Sequence, residues 1–528
     1  MIRRRAVLAA GGLALAGCQR AEREIAGGFN GPSHDRGHLL RERTAAVPAL
    51  TRRCGVLIAG GGIAGLSAAR ALRLAGIEDF ALLELEDSAG GNSRGGVVGG
   101  LPCPLGAHYL PVPGDDAHEV RDFLEEIGLA QRVAGRWVYD ERHLCHSPQE
   151  RLFFNGQWQE GLVPLQGVGP ETLAQYRLFS RRVEQAQARD PFHLPLRGEP
   201  PASHRELDAL TFAAWLDREG LTDAHLRWYL DYCCRDDYGA GSATVSAWAG
   251  LHYFASRHGF NPPGEQADRD AVLTWPEGNG WLAARLARPL GDRLQAGRVV
   301  TRIALRKHGV EVDAWNVAGR QLERWQAAQC IVALPVFVAA RVLDPAPPAL
   351  LNAASRQRYA PWVVVNLHID QPLRDRPGAP PSWDNVLYGT RGLGYVDAGH
   401  QNLSPLPSPT VLTWYRALGD ELGARARLLA QPWAAWRDAA LDELAVAHPD
   451  LRGRTRSVGV ACYGHAMSIP VPRVRAAPAL AALRDKQPLA WRRLRFAHSD
   501  LSSYSVFEEA FTHGMRAAEG TALALVGR

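Results

Sequence analysis

The stretch VLIAGGGIAGLSAARAL, Val56 to Leu72, leaves few folds open. Val56 to Ala59 is an apolar run suited to a buried parallel strand, and Leu66, Ala69, Leu72 and Leu74 then place apolar residues at roughly helical spacing. Strand, tight turn and helix in this order predict an α/β fold. Gly60, Gly62 and Gly65 fall in the pattern G-x-G-x-x-G. The first glycine permits the turn, the second lets backbone approach a pyrophosphate, and the third allows close packing of helix on strand. The phosphates are expected over Ile63 and Ala64, where the unpaired N–H groups and the dipole of a helix N-terminus favour negative charge.

A second apolar run, Phe80 to Leu83, ends in Glu84, nineteen residues after Gly65. A carboxylate there accepts hydrogen bonds from both ribose hydroxyls and repels a 2′-phosphate, which disfavours NADP and leaves NAD and FAD.

The following residues separate these two. ELEDSAGGNSRGG, Glu84 to Gly96, sets Gly90, Gly91, Asn92 and Arg94 shortly after the ribose acid, and here the chain resembles the flavin-containing amine oxidase superfamily. In that superfamily a strand-end glutamate is followed by a G-G-R/N-x-x segment beside the pyrophosphate and flavin. LGAHYLPVP, with Gly106, Ala107, His108 and Tyr109, resembles its G-A-H-Y stretch near the isoalloxazine ring. GRVVTRI, with Val300, and CIVALPVFV are similar to its V-T-R-I strand, which meets adenine through backbone, and to its A-x-P segment. RFAHSDLSSYSVFEEAFTHGMRAAEG, Arg495 to Gly520, resembles its C-terminal F-A-G-E/D segment and helix. The resemblance runs through nearly the whole chain in the family's order and implies FAD, bound noncovalently because this last segment holds no cysteine.

The C-terminal segment also has a physical reading. Asp500, Ser502, Ser503 and Ser505, followed by a helix starting near Val506 and Phe507, would present a carboxylate and backbone N–H groups to a polyol chain and pyrophosphate. Asp500 is expected to accept a ribityl hydroxyl. The chain departs from the family here, since His498-Ser499 replaces the family's glycine and acid and the acid stands one place later.

The matching segments divide the chain. A discontinuous Rossmann-like FAD-binding domain is expected over residues 53–115, 272–345 and 490–528, with a mixed α+β substrate domain over 116–271 and 346–489. The first excursion holds helix-like runs at Ala117 to Ile127 and Asp208 to Arg218, and the second opens on the β-branched run Pro361 to Leu367. Residues 1–18 read as a signal peptide: an arginine cluster, an apolar run too short to span a bilayer, and Leu15-Ala16-Gly17-Cys18 resembling a lipobox. Arg4-Arg5 suits twin-arginine export, so a periplasmic protein anchored through lipid on Cys18 is expected, with residues 19–52 as a polar tether.

A formal charge of +5 over 528 residues, with arginine scattered along the chain, supplies no basic stripe for nucleic acid. Apart from Cys18, seven cysteines lack disulfide-framework spacing, and Cys233-Cys234 reads as two buried thiols. His143, Cys145 and His146 lie close together, but no second cluster follows at zinc-site spacing, so no metal is expected.

By resemblance the reaction is hydride transfer to flavin N5 from a C–H next to an amine. Candidate catalytic residues are His108 and Tyr109, near the ring, and His465 in ACYGHAMSIPVP, where the family places its final substrate-side segment. For each histidine a packing role is the alternative. Many amine oxidases carry a lysine that positions a water at N5, and the strand Trp362 to Leu367 has none, which leaves a quinone or a partner protein open as electron acceptor. Two other readings remain: a desaturase or isomerase of the same fold, and a flavin-binding lipoprotein without turnover.

Overall fold

The computed structural model describes residues 24–41, 46–257, 259–261, 271–404, 406–484 and 491–526. The signal peptide with Cys18, and Lys486, lie outside the described residues.

Two large sheets carry the fold. The first runs Leu294–Gln295, Phe80–Leu83, Leu50–Ala59, Gln321–Val332, Gly309–Asn316, Arg298–Arg306, with Leu494–Phe496 also pairing on Gln321–Val332. Val56 to Ala59 pair in parallel with Phe80 to Leu83 on one side and with Gln329 to Val332 on the other. The strand begins at Leu50, six residues before the apolar run, because Leu50 to Cys54 pair with Glu323 to Ala327 where side chains are largely open to solvent. The helix Ile63–Leu74 buries Ile63 through Leu72 and packs on the C-terminal helix Phe507–Val526, the Ser67 hydroxyl donating to Phe511 O at 2.8 Å. Leu74, counted with the apolar stripe, is exposed.

The second sheet has the order Ala26–Phe29, Thr455–Ile469, Arg358–Ile369, Thr410–Ala417, Tyr395–Asp397, Asp384–Leu387, Glu150–Phe154, Gln157–Glu160. Glu150 to Phe153 pair in parallel with Asp384 to Leu387, so strands far apart in sequence share the sheet. Along Arg358–Ile369 both faces are covered. Trp362 and Val364 join a core with the helices Pro170–Arg189, Ala224–Tyr238 and Ala247–Ala255, whereas Val363, Val365 and Leu367 join one with Ala424–Ala430 and Trp433–Leu444. Burial on both faces explains why Pro361 to Leu367 is nearly continuously apolar and does not alternate.

Two boundaries differ from the sequence reading. Asp208 to Arg218 is not one helix: Ala202–Asp208 ends, and Phe212–Arg218 starts anew with the Thr211 hydroxyl accepting the Ala214 N–H at 3.2 Å. An N-cap threonine explains the break. Residues 19–52 are not a tether throughout, because Ala26–Phe29 adds an edge strand to the second sheet and His34–His38 forms a short helix. Gly27 fits there because a Cβ would lie 2.4 Å from Val458 O and 2.8 Å from the Trp433 ring. Among the described residues no helix is long and apolar enough to cross a membrane.

Candidate active site

The turn after Leu50–Ala59 is shaped by what its glycines leave out. Gly60 has φ +105°, and a Cβ on Gly65 would sit 1.9 Å from Gly60 O, so neither position admits a side chain. A Cβ on Gly62, by contrast, would find only Gly91 Cα at 4.0 Å. Packing does not demand glycine at 62. The space beside it, at a helix start with no side-chain cap, is what a pyrophosphate needs. Ile63 and Ala64 open that helix.

Glu84 is buried and already oriented. Its Oε2 accepts the Gly61 N–H at 2.8 Å and its Oε1 accepts the Glu86 N–H at 2.8 Å. Burial pushes its carboxyl above the usual range, against the pull of these two N–H donors. The Gly90 N–H donates to Gly61 O at 2.7 Å, which holds the second glycine turn against the first. Gly91 and Asn92 lie in the short helical turn that follows, and the Asn92 side chain donates to Ala466 O at 2.5 Å. Arg94 is 9% exposed, and its Nη1 lies 3.4 Å from Glu86 Oε2. The strand bearing Val300 runs beside this end, with the Arg298 N–H donating to Glu84 O at 2.7 Å and the Gly297 N–H to Glu86 O at 2.8 Å.

Two buried side-chain atoms here have no hydrogen-bond partner, Arg94 Nε and Asp500 Oδ1. His498 Nδ1 lies 3.2 Å from Asp500 Oδ1 but accepts the Asp500 N–H at 3.1 Å, so a neutral ring cannot donate from that nitrogen as well. Asp500 Oδ2 accepts from Val336 N–H at 2.9 Å and the Tyr359 hydroxyl at 2.6 Å. A free donor on Arg94 Nε and a free acceptor on Asp500 Oδ1 suit a ligand carrying both phosphates and hydroxyls. The residues present therefore fit FAD. Val506 and Phe507, which pack partly or fully against the two cores, open the helix after the Asp500 turn.

The backbone from Arg94 to Ala107 leads from this end to an aromatic chamber. Ala107 N–H donates to Asn92 O at 2.8 Å, and the hydroxyls of Tyr415 and Tyr463 donate to Gly106 O at 3.2 Å and Leu105 O at 2.9 Å. His108 lies 4.4 Å from Tyr415, 4.9 Å from Tyr109 and 5.6 Å from Trp383, centroid to centroid. Burial pushes its imidazole down to about 3, so the ring is neutral at ordinary pH.

Acidic groups line the same chamber. Asp236 and Asp237 sit in the last turn of Ala224–Tyr238, Asp384 follows Trp383 at a strand start, and Glu508 lies in the first turn of Phe507–Val526. Glu508 is 2% exposed, and Asp236, Asp237 and Asp384 are partly buried. Burial raises all four carboxyls, Asp236 to about 7, and the neighbouring Asp237 pushes Asp236 the same way. Three of these charges act on Tyr109, whose hydroxyl is raised by burial and then by Asp236, Asp237 and Asp384, against Arg257, whereas Glu508 faces Arg257 and Asp237. Among the described residues none of the four has an ion-pair partner within 4.0 Å. Arg257 is the nearby cation, its Nε is buried without a hydrogen bond, and it lies 5.7 Å from the Tyr253 ring. A surface hollow of about 410 Å³ lined by Phe154, His225 and Tyr388 shares no residue with the ring contacts of His108.

His465 is not brought to this chamber. It is exposed, and its ring contacts are Phe337 at 4.5 Å and Tyr359 at 5.8 Å, on the Asp500 side. His143 accepts the Trp275 indole N–H at 3.0 Å, and among the described residues no group of three or more His, Cys, Asp or Glu is placed to hold a metal. Cys233 and Cys234 are free and buried. Sequence reasoning passed over the four acids, Arg257, Trp383 and Tyr415. One signal was available: Asp236 and Asp237 stand at a helix C-terminus, where the dipole disfavours negative charge.

The chain resembles a putrescine oxidase structure with putrescine bound, at 17% identity, covering 90% of this chain and 100% of that one, with a TM-score of 0.65. Cyclohexylamine oxidase from Brevibacterium oxydans IH-35A is similar at 20% identity, with 90% and 99% covered and a TM-score of 0.64. A CLA-producing fatty acid isomerase from P. acnes shares the fold at 15% identity, with 88% and 97% covered and a TM-score of 0.60. No curated protein matches. The sequence profile of flavin-containing amine oxidoreductases matches residues 63–521, which begins at the helix that follows the glycine turn and takes in the aromatic chamber and most of the C-terminal helix. The chain is an FAD-dependent oxidoreductase and belongs to the flavin-containing amine oxidoreductase family.

Proposed function

We propose that this protein oxidises a cationic amine at the carbon next to nitrogen, and that an acidic wall, Asp236, Asp237 and Asp384 around Tyr109 with Glu508 beside Asp237, selects the substrate. That wall carries the reading. Burial favours the protonated form of these carboxyls, and a bound ammonium would draw them into ionising and pair with them, so the chamber can take up cations in a way that neutral apolar chains do not exploit. Bound flavin supplies the hydride acceptor. Trp383, Tyr415 and neutral His108 would orient the apolar part of the substrate and exclude water, while Asp236, Asp237, Asp384 and Glu508 hold the charged end or ends. The same acids argue against the isomerase or desaturase reading, whose substrates would put hydrocarbon against them.

Export through the N-terminal segment, a lipid anchor on Cys18 and a periplasmic site of action complete the proposal, together with an electron acceptor such as a quinone or partner protein. Anaerobic titration of the purified holoprotein with diamines, longer polyamines, amino acids and polyprenoids tests the substrate reading. Bleaching of the flavin absorbance by amines, and fastest by those with two cationic ends, is expected. Bleaching by polyprenoids alone, or by no amine, would overturn it. For the location, a soluble wild-type protein after fractionation would exclude the anchor, whereas release only on Cys18→Ser would support it.

A further inference from the structure

The segment ahead of the first nucleotide strand makes contacts that an edge strand alone does not need. It leaves the second sheet with Asn30 N–H donating to Val460 O at 3.0 Å and His34 Nε2 within 2.8 Å of Cys462 O. It then crosses to the three residues that follow Glu84. Ser33 N–H donates to Glu86 Oε1 at 2.8 Å, Arg36 Nη1 donates to Leu85 O at 3.1 Å, and the same guanidinium pairs with Asp87 at 2.8 Å. Beyond, Arg341 donates to Leu40 O at 2.8 Å and to Arg41 O at 2.7 Å, tying the far end to the helix Val336–Val342. Asp500 caps that helix at Val336.

Glu86 links this segment to the cofactor turn. One carboxylate oxygen takes Ser33 N–H, the other lies 3.4 Å from Arg94, and the Glu86 N–H holds Glu84 Oε1. Loss of the segment would free Glu86 to swing, and Arg94 and Glu84 would lose a fixed neighbour together. We propose that residues 30–41 are a clasp that holds the adenosine end of the FAD site closed, with Ser33 and Arg36 as positioning residues acting through Glu86 and the Leu85–Asp87 turn. The inference rests on FAD as the cofactor and is independent of the substrate.

The clasp and the cofactor must then stabilise each other by the same factor. FAD should protect the backbone amides of residues 30–41 from hydrogen exchange, and weakening the clasp should speed FAD release. Ser33→Pro fits the backbone, since Ser33 has φ −76°, and removes the N–H that meets Glu86 together with the hydroxyl that accepts the Arg36 N–H at 3.4 Å; Ser33→Ala, which loses the hydroxyl alone, is the control and should leave FAD release unchanged. Arg36→Ala removes the other contact. FAD release, followed by the rise in flavin fluorescence on dilution, should quicken about three- to tenfold for Ser33→Pro and for Arg36→Ala, from one lost charge-assisted hydrogen bond and a weak surface pair. Arg36→Lys should recover part of the effect. A purely structural role would lower the melting temperature of apoprotein and holoprotein equally and leave the release rate unchanged. That result would overturn the clasp, as would equal exchange in residues 30–41 with and without FAD. Absence of bound FAD in the wild type would instead count against the cofactor.

Discussion

The imidazole of His108 lies nearly parallel to the phenol of Tyr415, with centroids 4.4 Å apart and 27° between the planes. The stack, with Trp383 and Tyr109 around it, keeps water off the ring and holds its pKa near 3. A neutral imidazole does not repel an incoming ammonium, and it can orient one by accepting a hydrogen bond from it. His108→Ala should slow anaerobic flavin reduction by about tenfold through lost substrate positioning, while FAD stays bound. Between pH 5 and 9 the rate of reduction should show no limb that disappears in this variant. Normal reduction would assign His108 to packing.

Asp236 gives the chamber a pH dependence of definite sign. Its folded pKa, about 7, lies above the ordinary carboxyl value near 3.8, so its contribution to stability is present at low pH and is lost as pH rises through about 7. Cation binding runs the other way, because the ionised carboxylate attracts an ammonium that stays protonated well past pH 8. The dissociation constant of a non-oxidisable diamine, read from the flavin spectrum, should fall by up to about tenfold from pH 6 to pH 8. Asp236→Asn should flatten the curve. An unchanged curve in the variant would remove Asp236 from the binding wall.

Glu84 holds two backbone N–H groups, and on the family reading it also holds the ribose hydroxyls. Glu84→Ala would leave the Gly61 and Glu86 donors without this acceptor and would remove the ribose contacts. A loss of about 2 kcal/mol, or roughly thirtyfold in FAD affinity, is expected from reconstitution of apoprotein. Denaturing the wild type should release free FAD, since Arg495 to Gly520 contains no cysteine for covalent attachment. Unchanged flavin occupancy in Glu84→Ala would count against the assignment.

The difference between these sites explains what the sequence could disclose. Gly60, Gly62, Gly65 and Glu84 act within one strand–turn–helix–strand unit, so local spacing already places them around a shared turn. The acid wall draws Asp236, Asp237, Asp384 and Glu508 from elements that meet only after the chain has built its second sheet. The convergence of Asp236, Asp237 and Asp384 on Tyr109 has no local signature beyond the two acids at a helix C-terminus. For His465, proximity in sequence to the final substrate-side segment does not fix the direction of the side chain. In the strand Thr455–Ile469 it points to Phe337 and Tyr359. The N-terminal segment reads as a tether because glycine and polar residues dominate it, yet Gly27 is what lets it dock against Val458 and Trp433.

The last prediction concerns the electron acceptor. The strand Arg358–Ile369 carries no lysine, and its buried polar residue is already committed: Asn366 donates to Pro104 O at 3.0 Å and accepts the Thr413 hydroxyl at 2.7 Å. Lys307 lies in the turn between Arg298–Arg306 and Gly309–Asn316, in the other sheet. Reduction by substrate depends on the aromatic and acidic walls, whereas reoxidation by oxygen depends on what is positioned at N5, so the two half-reactions can separate. A donor amine should bleach the flavin quickly under nitrogen, air should restore the colour slowly, and an artificial quinone should restore it fast. Introducing the missing group tests the cause: Val364→Lys, in the middle of the strand, should raise the rate of recovery in air relative to that with quinone if a lysine at this depth is what oxygen reactivity lacks. Rapid peroxide formation by the wild type would defeat the dehydrogenase reading.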